Sequence, residues 1–423
     1  MPAEVRLDEA TIEYRRARQD FFFRHRDRWP GTLTRAFDLL APCALPRSEI
    51  DEILRTVASL GTVYQRSAAL LRQLNRETLL EMGVPDYVLP GALCGIPGIP
   101  DCVIGRFDLA RTENGYKMLE FNSDAPGLLV ETFSVNAEAA QDAGKANPND
   151  SGERTLVRAL NSAIRAGLKY VGKTPEAEGN IVVTSVGDYP EDKAEAIWLC
   201  GLLGKWKARY IPVEALGIGE GGLYDPSGNR IDVLYRVLPL LFIRNELFQH
   251  RRDAVKPEMG GILLRLVESR RLALVNPPFA FLLANKALQA VIWGLFESGR
   301  YFTNFERRLI EMYMLPTWLD PPRKQPYVVK PAYGAEGNTV AILAADESIT
   351  HESARSTYSD QLMVYQKYVD LPEVEMMTEY GPRKLHQVMS CFLISGEPVG
   401  ICMRAGGAVT DESAWVVPIS VEE

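Results

Sequence analysis

The sequence predicts a mixed α/β (α+β) protein with a helical N-terminal region and a small α/β unit built on parallel strands. Three observations carry this. The first hundred residues are dense in helix formers, a strand–helix–strand alternation occupies residues 178–280, and several short strand patterns follow a helix in the last part of the chain. At 423 residues the chain has room for two or three domains and a core that needs no disulfide or zinc staple. The expected divisions are 1–177, 178–280 and 281–423.

Residues 8–24 read as a first helix. Ser48-Glu-Ile-Asp51 opens a second that runs to about residue 74, with Ile50, Ile53, Leu54, Val57 and Leu60 on one apolar stripe. Residues 91–100, rich in glycine and proline, read as a linker, and strand patterns begin at Cys102. Residues 180–186 form a short buried strand. Pro190-Glu191-Asp192 then starts a helix, with proline and two acids in its first turn. Further strands are expected at 208–213, 233–237, 327–330, 363–369, 388–395 and 398–404, with a helix at 285–298. The charged stretch 265–271 reads as a solvated helix face.

Lys plus Arg number 47 and Asp plus Glu 55, a net charge of −8, which argues against nucleic acid as a partner. The histidines are His25, His250, His351 and His386, and no two sit at helical ligand spacing. Chemistry is therefore expected from carboxylates, lysines and arginines. Six cysteines without a C-x-x-C pair read as free thiols of a reducing cytosol. Acids and arginines interrupt residues 1–30, and no apolar run reaches membrane-spanning length. A cytoplasmic protein without a membrane partner is expected.

The most informative segment runs from Arg106 to Asn122, two strand-like runs flanking Glu113-Asn114-Gly115. A two-residue Asn114-Gly115 turn would set Asp108 opposite Phe121. A three-residue loop with Gly115 left-handed sets Asp108 opposite Glu120 and Arg106 opposite Asn122, leaving Phe107, Leu119 and Phe121 on the other face. The second register sorts polar from apolar residues and is favoured. Directly opposed carboxylates repel, and a divalent cation bound by hard oxygens, Mg²⁺, would offset that. The competing reading is a solvent-facing hairpin whose Arg106 neutralises one acid.

Lys330 ends an apolar strand and precedes Pro-Ala-Tyr-Gly334-Ala-Glu-Gly337, a strand–glycine loop–strand pattern that could cradle phosphate. It is neither a Walker motif nor G-x-G-x-x-G, and a hairpin with a snorkelling lysine explains it almost as well. Lys286 opens a helix against the dipole, a hint of a bound anion. Gln366, Tyr368 and Val369 lie where a strand feeds a turn able to offer backbone groups to an adenine. Arg404 precedes Ala-Gly-Gly407, a cation beside flexible backbone.

Together these segments resemble the glutathionylspermidine synthetase family of ATP-grasp ligases. The resemblance rests on Arg106-x-Asp108 with Glu120-x-Asn122, Asn285-Lys286-Ala-Leu, Lys330-Pro-x-x-Gly334-x-Glu336-Gly337, Tyr365-Gln366-x-Tyr368, and Ile394-Ser-Gly-Glu397-Pro-Val-Gly400-Ile-x-x-Arg404. It covers most of the chain and corresponds to the synthetase part, without the amidase domain of bifunctional members. It implies an ATP-grasp fold with a pre-ATP-grasp unit at 178–280. It also implies Mg²⁺ on Asp108, Glu120 and Asn122, and Arg106 at the transferring phosphoryl group. Lys286 and Lys330 would meet the α- and β-phosphates of ATP, beside the Gly334 and Gly337 loop, and Gln366 to Val369 would form the adenine hinge. Arg404 would hold the acyl phosphate or the acid substrate. Ser123, Glu191 and Asp192 would contact substrate, the last two binding the amine or amide groups.

The implied reaction joins a small carboxylate to an amine through an acyl phosphate, releasing ADP and phosphate. A small-molecule phosphotransferase and an inactive nucleotide-binding regulator are the alternatives. Departures from the family pattern bear on substrate. They are Ser123-Asp-Ala125-Pro126-Gly127 after the metal asparagine, Ala335 where arginine is usual, Ala405 after Arg404, and a tail lacking the usual asparagine, arginine and histidine. They point to an acid and an amine other than glutathione and spermidine.

Overall fold

The computed structural model describes residues 8–29, 39–174, 179–219, 221–243 and 259–422; His250 and the expected boundary at 177/178 lie outside the described residues. Helix α1 (Glu9–Arg24) starts where the Asp8 carboxylate accepts the Thr11 N–H at 2.8 Å. Helix α2 (Arg47–Leu71) turns its stripe inward, with Ile50, Ile53, Val57 and Leu60 buried and Leu54 half-buried. Residues 91–100 are packed chain, which corrects the linker reading. Gly91, Ala92, Ile96 and Ile99 are buried, and a Cβ on Gly91 would come within 2.7 Å of the Leu264 side chain. Glycine there permits close approach.

The hairpin strands β1 (Ile104–Thr112) and β2 (Gly115–Asn122) come next. Helix α3 (Gly152–Tyr170) precedes β3 (Ile181–Thr184), α4 (Pro190–Leu202), β4 (Arg209–Tyr210), β5 (Val233–Arg236), α5 (Met259–Glu268) and β6 (Ala273–Val275). These four strands pair in the order β4-β3-β5-β6, all parallel. The inner strands are buried along their length, as a sheet covered on both faces requires. Gly167 of α3 lies so close to the sheet that a Cβ there would approach Ala273 at 3.0 Å. The charged stretch 265–271 ends α5 with Arg265, Glu268, Arg270 and Arg271 exposed, as expected.

Helix α6 (Lys286–Glu297) leads into β7 (Thr317–Trp318), β8 (Tyr327–Pro331), β9 (Ala341–Leu343), β10 (Ile349–Glu352) and β11 (Met363–Lys367), an antiparallel sheet ordered β7-β11-β8-β9-β10. Finally β12 (Glu373–Thr378), β13 (Gly381–Ile394), β14 (Glu397–Gly406) and β15 (Trp415–Val417) join the hairpin in an antiparallel sheet ordered β15-β14-β13-β1-β2, with β12 alongside β13.

Two features position the candidate site. On one face of the hairpin Phe107 and Phe121 stack at 4.0 Å between ring centroids, and Tyr64 of α2 meets them edge-on at 5.4 and 4.7 Å. Such pairs add about 1 kcal/mol each beyond burial, so the polar residues are held to the opposite face. Beyond β6, the Asn276 amide accepts from the Val103 and Ile104 N–H groups at 2.8 and 2.9 Å. It also donates to the Ile104 and Ser123 carbonyls, both at 2.7 Å. One side chain thus ties the parallel sheet to both hairpin strands. All six cysteines are free, Cys391 and Cys402 buried and the others half-buried. Among the described residues no helix is long and apolar enough to cross a membrane.

Candidate active site

Thr112 pairs with Gly115, so the hairpin tip is the two-residue Glu113-Asn114 and not the three-residue loop expected. Gly115 does take a positive φ, +87°. The favoured register is reached all the same, with Asp108 opposite Glu120 and Arg106 opposite Asn122. It arises because Leu109 pairs with Met118, leaving Leu119 as an extra, unpaired residue. This bulge turns the Leu119 carbonyl toward the site, where it accepts from Lys330 Nζ at 3.3 Å and Gln366 Nε2 at 3.2 Å.

The carboxylates do not face each other uncompensated. Arg106 Nε and Nη2 donate to the two oxygens of Asp108 at 2.8 and 2.9 Å, and the Ser390 hydroxyl adds a bond at 2.7 Å. Glu120 meets Lys286 Nζ at 3.1 Å. Asn122 Nδ2 bridges the two acids, 3.1 Å from Asp108 and 3.0 Å from Glu120. The repulsion that called for a cation is thus offset by Arg106 and Lys286. Arg106 does neutralise one acid, but Arg106 and Asp108 are buried, so the face is not solvent-facing. Burial works to raise the Glu120 pKa, yet Lys286, Lys330 and the Asn122 hydrogen bond outweigh it and hold the carboxyl well below its usual range. Burial likewise opposes the charge on Arg106, and Asp108 more than restores it.

Lys286 is the first residue of α6, which Asn285 caps by accepting the Ala287 N–H at 2.8 Å. Its ammonium reaches Glu120 and the Gly334 carbonyl, the latter at 3.3 Å. Lys330, one strand away on β8, is different. Its ammonium donates to Gln366 Oε1 at 2.6 Å and to the Leu119 carbonyl, both neutral. Burial holds its pKa down to about 8, with Glu120 and Asp108 pulling upward and Lys286 pushing down. Arg404 also meets a neutral acceptor, Nη2 donating to the Asp411 carbonyl at 2.9 Å. Burial lowers its pKa, Arg106 adds to that, and Asp108 and Glu120 oppose it.

Of the remaining predicted residues, Gln366 joins this set through Lys330 and the others stand apart from it. Gly337 (φ +66°) packs on the C-terminal loop, where a Cβ would come within 2.6 Å of the Thr410 carbonyl. That contact alone explains the glycine. The Gln366 side chain points inward and is 2% exposed, while the Tyr368 N–H donates to the Pro326 carbonyl at 3.3 Å, one residue before Val369. Ser123 is fully buried, and its hydroxyl donates to the Ala280 carbonyl at 2.7 Å. Glu191 and Asp192 sit half-buried in the first turn of α4, against the parallel sheet. The sequence reading missed Ser390, Gln289, Thr317 and the Leu119 carbonyl. Only Ser390 left a signal, as a hydroxyl within the apolar β13 run.

A family described as glutathionylspermidine synthase pre-ATP-grasp matches residues 36–422. An acid–amine ligase assignment from Haemophilus influenzae is 22% identical over 324 residues, covering 74% of this chain and 73% of that protein. The bifunctional glutathionylspermidine synthetase/amidase of Escherichia coli is 20% identical over 322 residues; the match spans 71% of this chain and 46% of that protein's length. Among solved structures, the apo form of a glutathione synthetase-like effector from Globodera pallida superimposes with a TM-score of 0.57 at 14% identity, over 96% of this chain and 97% of that one. The fold is therefore that of the glutathione synthetase-like ATP-grasp proteins. Family and relatives together indicate a ligase, and the chain belongs to the glutathionylspermidine synthase pre-ATP-grasp family.

Proposed function

We propose that the protein is an ATP-dependent carboxylate–amine ligase that forms an amide through an acyl phosphate, acting on an acid and an amine other than glutathione and spermidine. One observation carries this reading: among the described residues, Lys330 and Arg404 are half-buried cations hydrogen-bonded only to neutral oxygens, beside a pair of opposed carboxylates. The nearby carboxylates are already paired with Arg106 and Lys286, burial still holds both pKa values down, and an arriving phosphate or carboxylate would offset that cost.

The donor set suits magnesium. Asp108 and Glu120 offer hard oxygens side by side, and Asn122, which turns its Nδ2 to both acids, would supply its Oδ1 there after an amide flip. When bound, the ion would neutralise phosphate charge and hold the nucleotide in register. Lys286 and Lys330 would bind the α- and β-phosphates under the Gly334–Gly337 loop, with the Gln366–Val369 backbone at the adenine. Arg106 would steady the transferring phosphoryl group and Arg404 the acyl phosphate. Glu191 and Asp192 would receive the amine. In this scheme the substrate carboxylate attacks the γ-phosphorus and ADP leaves; the amine then attacks the acyl carbon, phosphate leaves and the nitrogen gives up a proton. The protein's part is positioning and charge stabilisation, which needs no histidine.

The test is incubation with ATP, magnesium and pools of acids and amines, followed by mass spectrometry. A product equal to acid plus amine less one water, with ADP and phosphate released, is expected in the wild type and absent with Asp108→Asn. A product gaining a phosphoryl mass would replace the ligase with a phosphotransferase.

A further inference from the structure

We infer that Gln289 is a positioning residue for the Lys330 ammonium, acting through Gln366; the inference rests on the nucleotide-site reading above. A carbonyl oxygen only accepts, so the Leu119 carbonyl, 3.2 Å from the Gln366 amide, fixes Nε2 on its side. That orientation turns Oε1 toward Lys330 Nζ at 2.6 Å. The second Nε2 hydrogen finds Gln289 Oε1 at 3.0 Å, with Thr317 Oγ1 farther off at 3.4 Å. The Thr317 hydroxyl hydrogen goes to the Leu315 carbonyl at 2.9 Å, so it too faces Gln366 as an acceptor.

Gln289 and Gln366 are each 2% exposed, so no bulk water stands in for a lost partner. Gln289 follows Lys286 by one helical turn and shares its face of α6. The helix thereby sets both lysines, Lys286 against Glu120 directly and Lys330 through two amides. The charged groups around Lys330 are Glu120 of β2, Asp108 of β1 and Lys286 of α6, and none is bonded to it. Its location therefore depends on neutral acceptors. Without the Gln289 oxygen, one Nε2 hydrogen is left with only Thr317 Oγ1 at 3.4 Å, and the Gln366 amide holds its Oε1 less firmly against Lys330.

Calorimetric titration of the full chain with ADP and with adenosine tests this. Gln289→Met, similar in volume but without the acceptor, should weaken ADP by roughly tenfold while adenosine binding stays within about twofold, the scale of one hydrogen bond to a charged group. Gln289→Glu keeps an oxygen acceptor and should hold ADP affinity within about threefold of wild type. Unchanged ADP affinity in Gln289→Met overturns the assignment. So does an equal loss for both ligands with a lowered melting temperature, the mark of a merely structural role. A wild type that binds no ADP overturns the nucleotide reading itself, and the inference with it.

Discussion

At the hairpin end of the site each carboxylate has a cation within bonding distance, Asp108 on Arg106 and Glu120 on Lys286. At the other end, among the described residues, Lys330 and Arg404 hydrogen-bond only to amide and carbonyl oxygens. The hairpin end is settled within the protein, and breaking it leaves a buried charge stranded. The lysine–arginine end carries a liability that a bound anion would relieve. The first contributes to the fold before any ligand arrives; the second holds free energy in reserve for binding.

Removing a partner from the settled end should have the largest effect. Glu120→Ala leaves Lys286 without its counter-charge and is expected to lower stability by about 3 kcal/mol, read from the urea unfolding midpoint; an unmoved midpoint would break the comparison. Lys330→Met should act in the opposite sense, raising stability by about 1 kcal/mol at pH 7 while ADP affinity falls.

The sign follows from linkage. The folded pKa of about 8 lies below the ordinary 10.5, so between those values the unfolded chain binds more protons and wild-type stability rises with pH. The advantage of Lys330→Met is therefore full below pH 8, shrinks from 8 to 10.5 and vanishes above; unfolding midpoints at three pH values check it. Ser123→Ala should be the mildest change for function, losing about 1 kcal/mol of stability for one buried hydrogen bond, with no change in the Michaelis constant of either substrate. A selective rise in one Michaelis constant would return Ser123 to the substrate side.

Much of the fold was legible because it is written in local pattern. The α2 stripe, the proline at the start of α4 and the polar–apolar sorting of the hairpin need no tertiary information. Lys286 and Lys330 were legible as oddities, one opposing a helix dipole and one ending an apolar strand. Their partners were not, since Glu120 lies 166 residues before Lys286 and Gln366 lies 36 after Lys330. Glycine and proline at 91–100 misled because the same residues that loosen a linker also let packed chain approach closely. The Ser123 partner was equally out of reach, since its hydroxyl bonds the Ala280 carbonyl 157 residues on.

The Leu119 bulge means that hairpin register here is a sum of two quantities, tip length and one extra residue, and sequence drift can trade one for the other. A relative with one more residue at the tip and one fewer at the bulge would keep its two acids opposed. It would, however, lose the unpaired carbonyl on which Lys330 and Gln366 both rest. Insertions and deletions in this hairpin are therefore informative in pairs: an alignment could conserve both acids across such a trade while the lysine's anchor had gone.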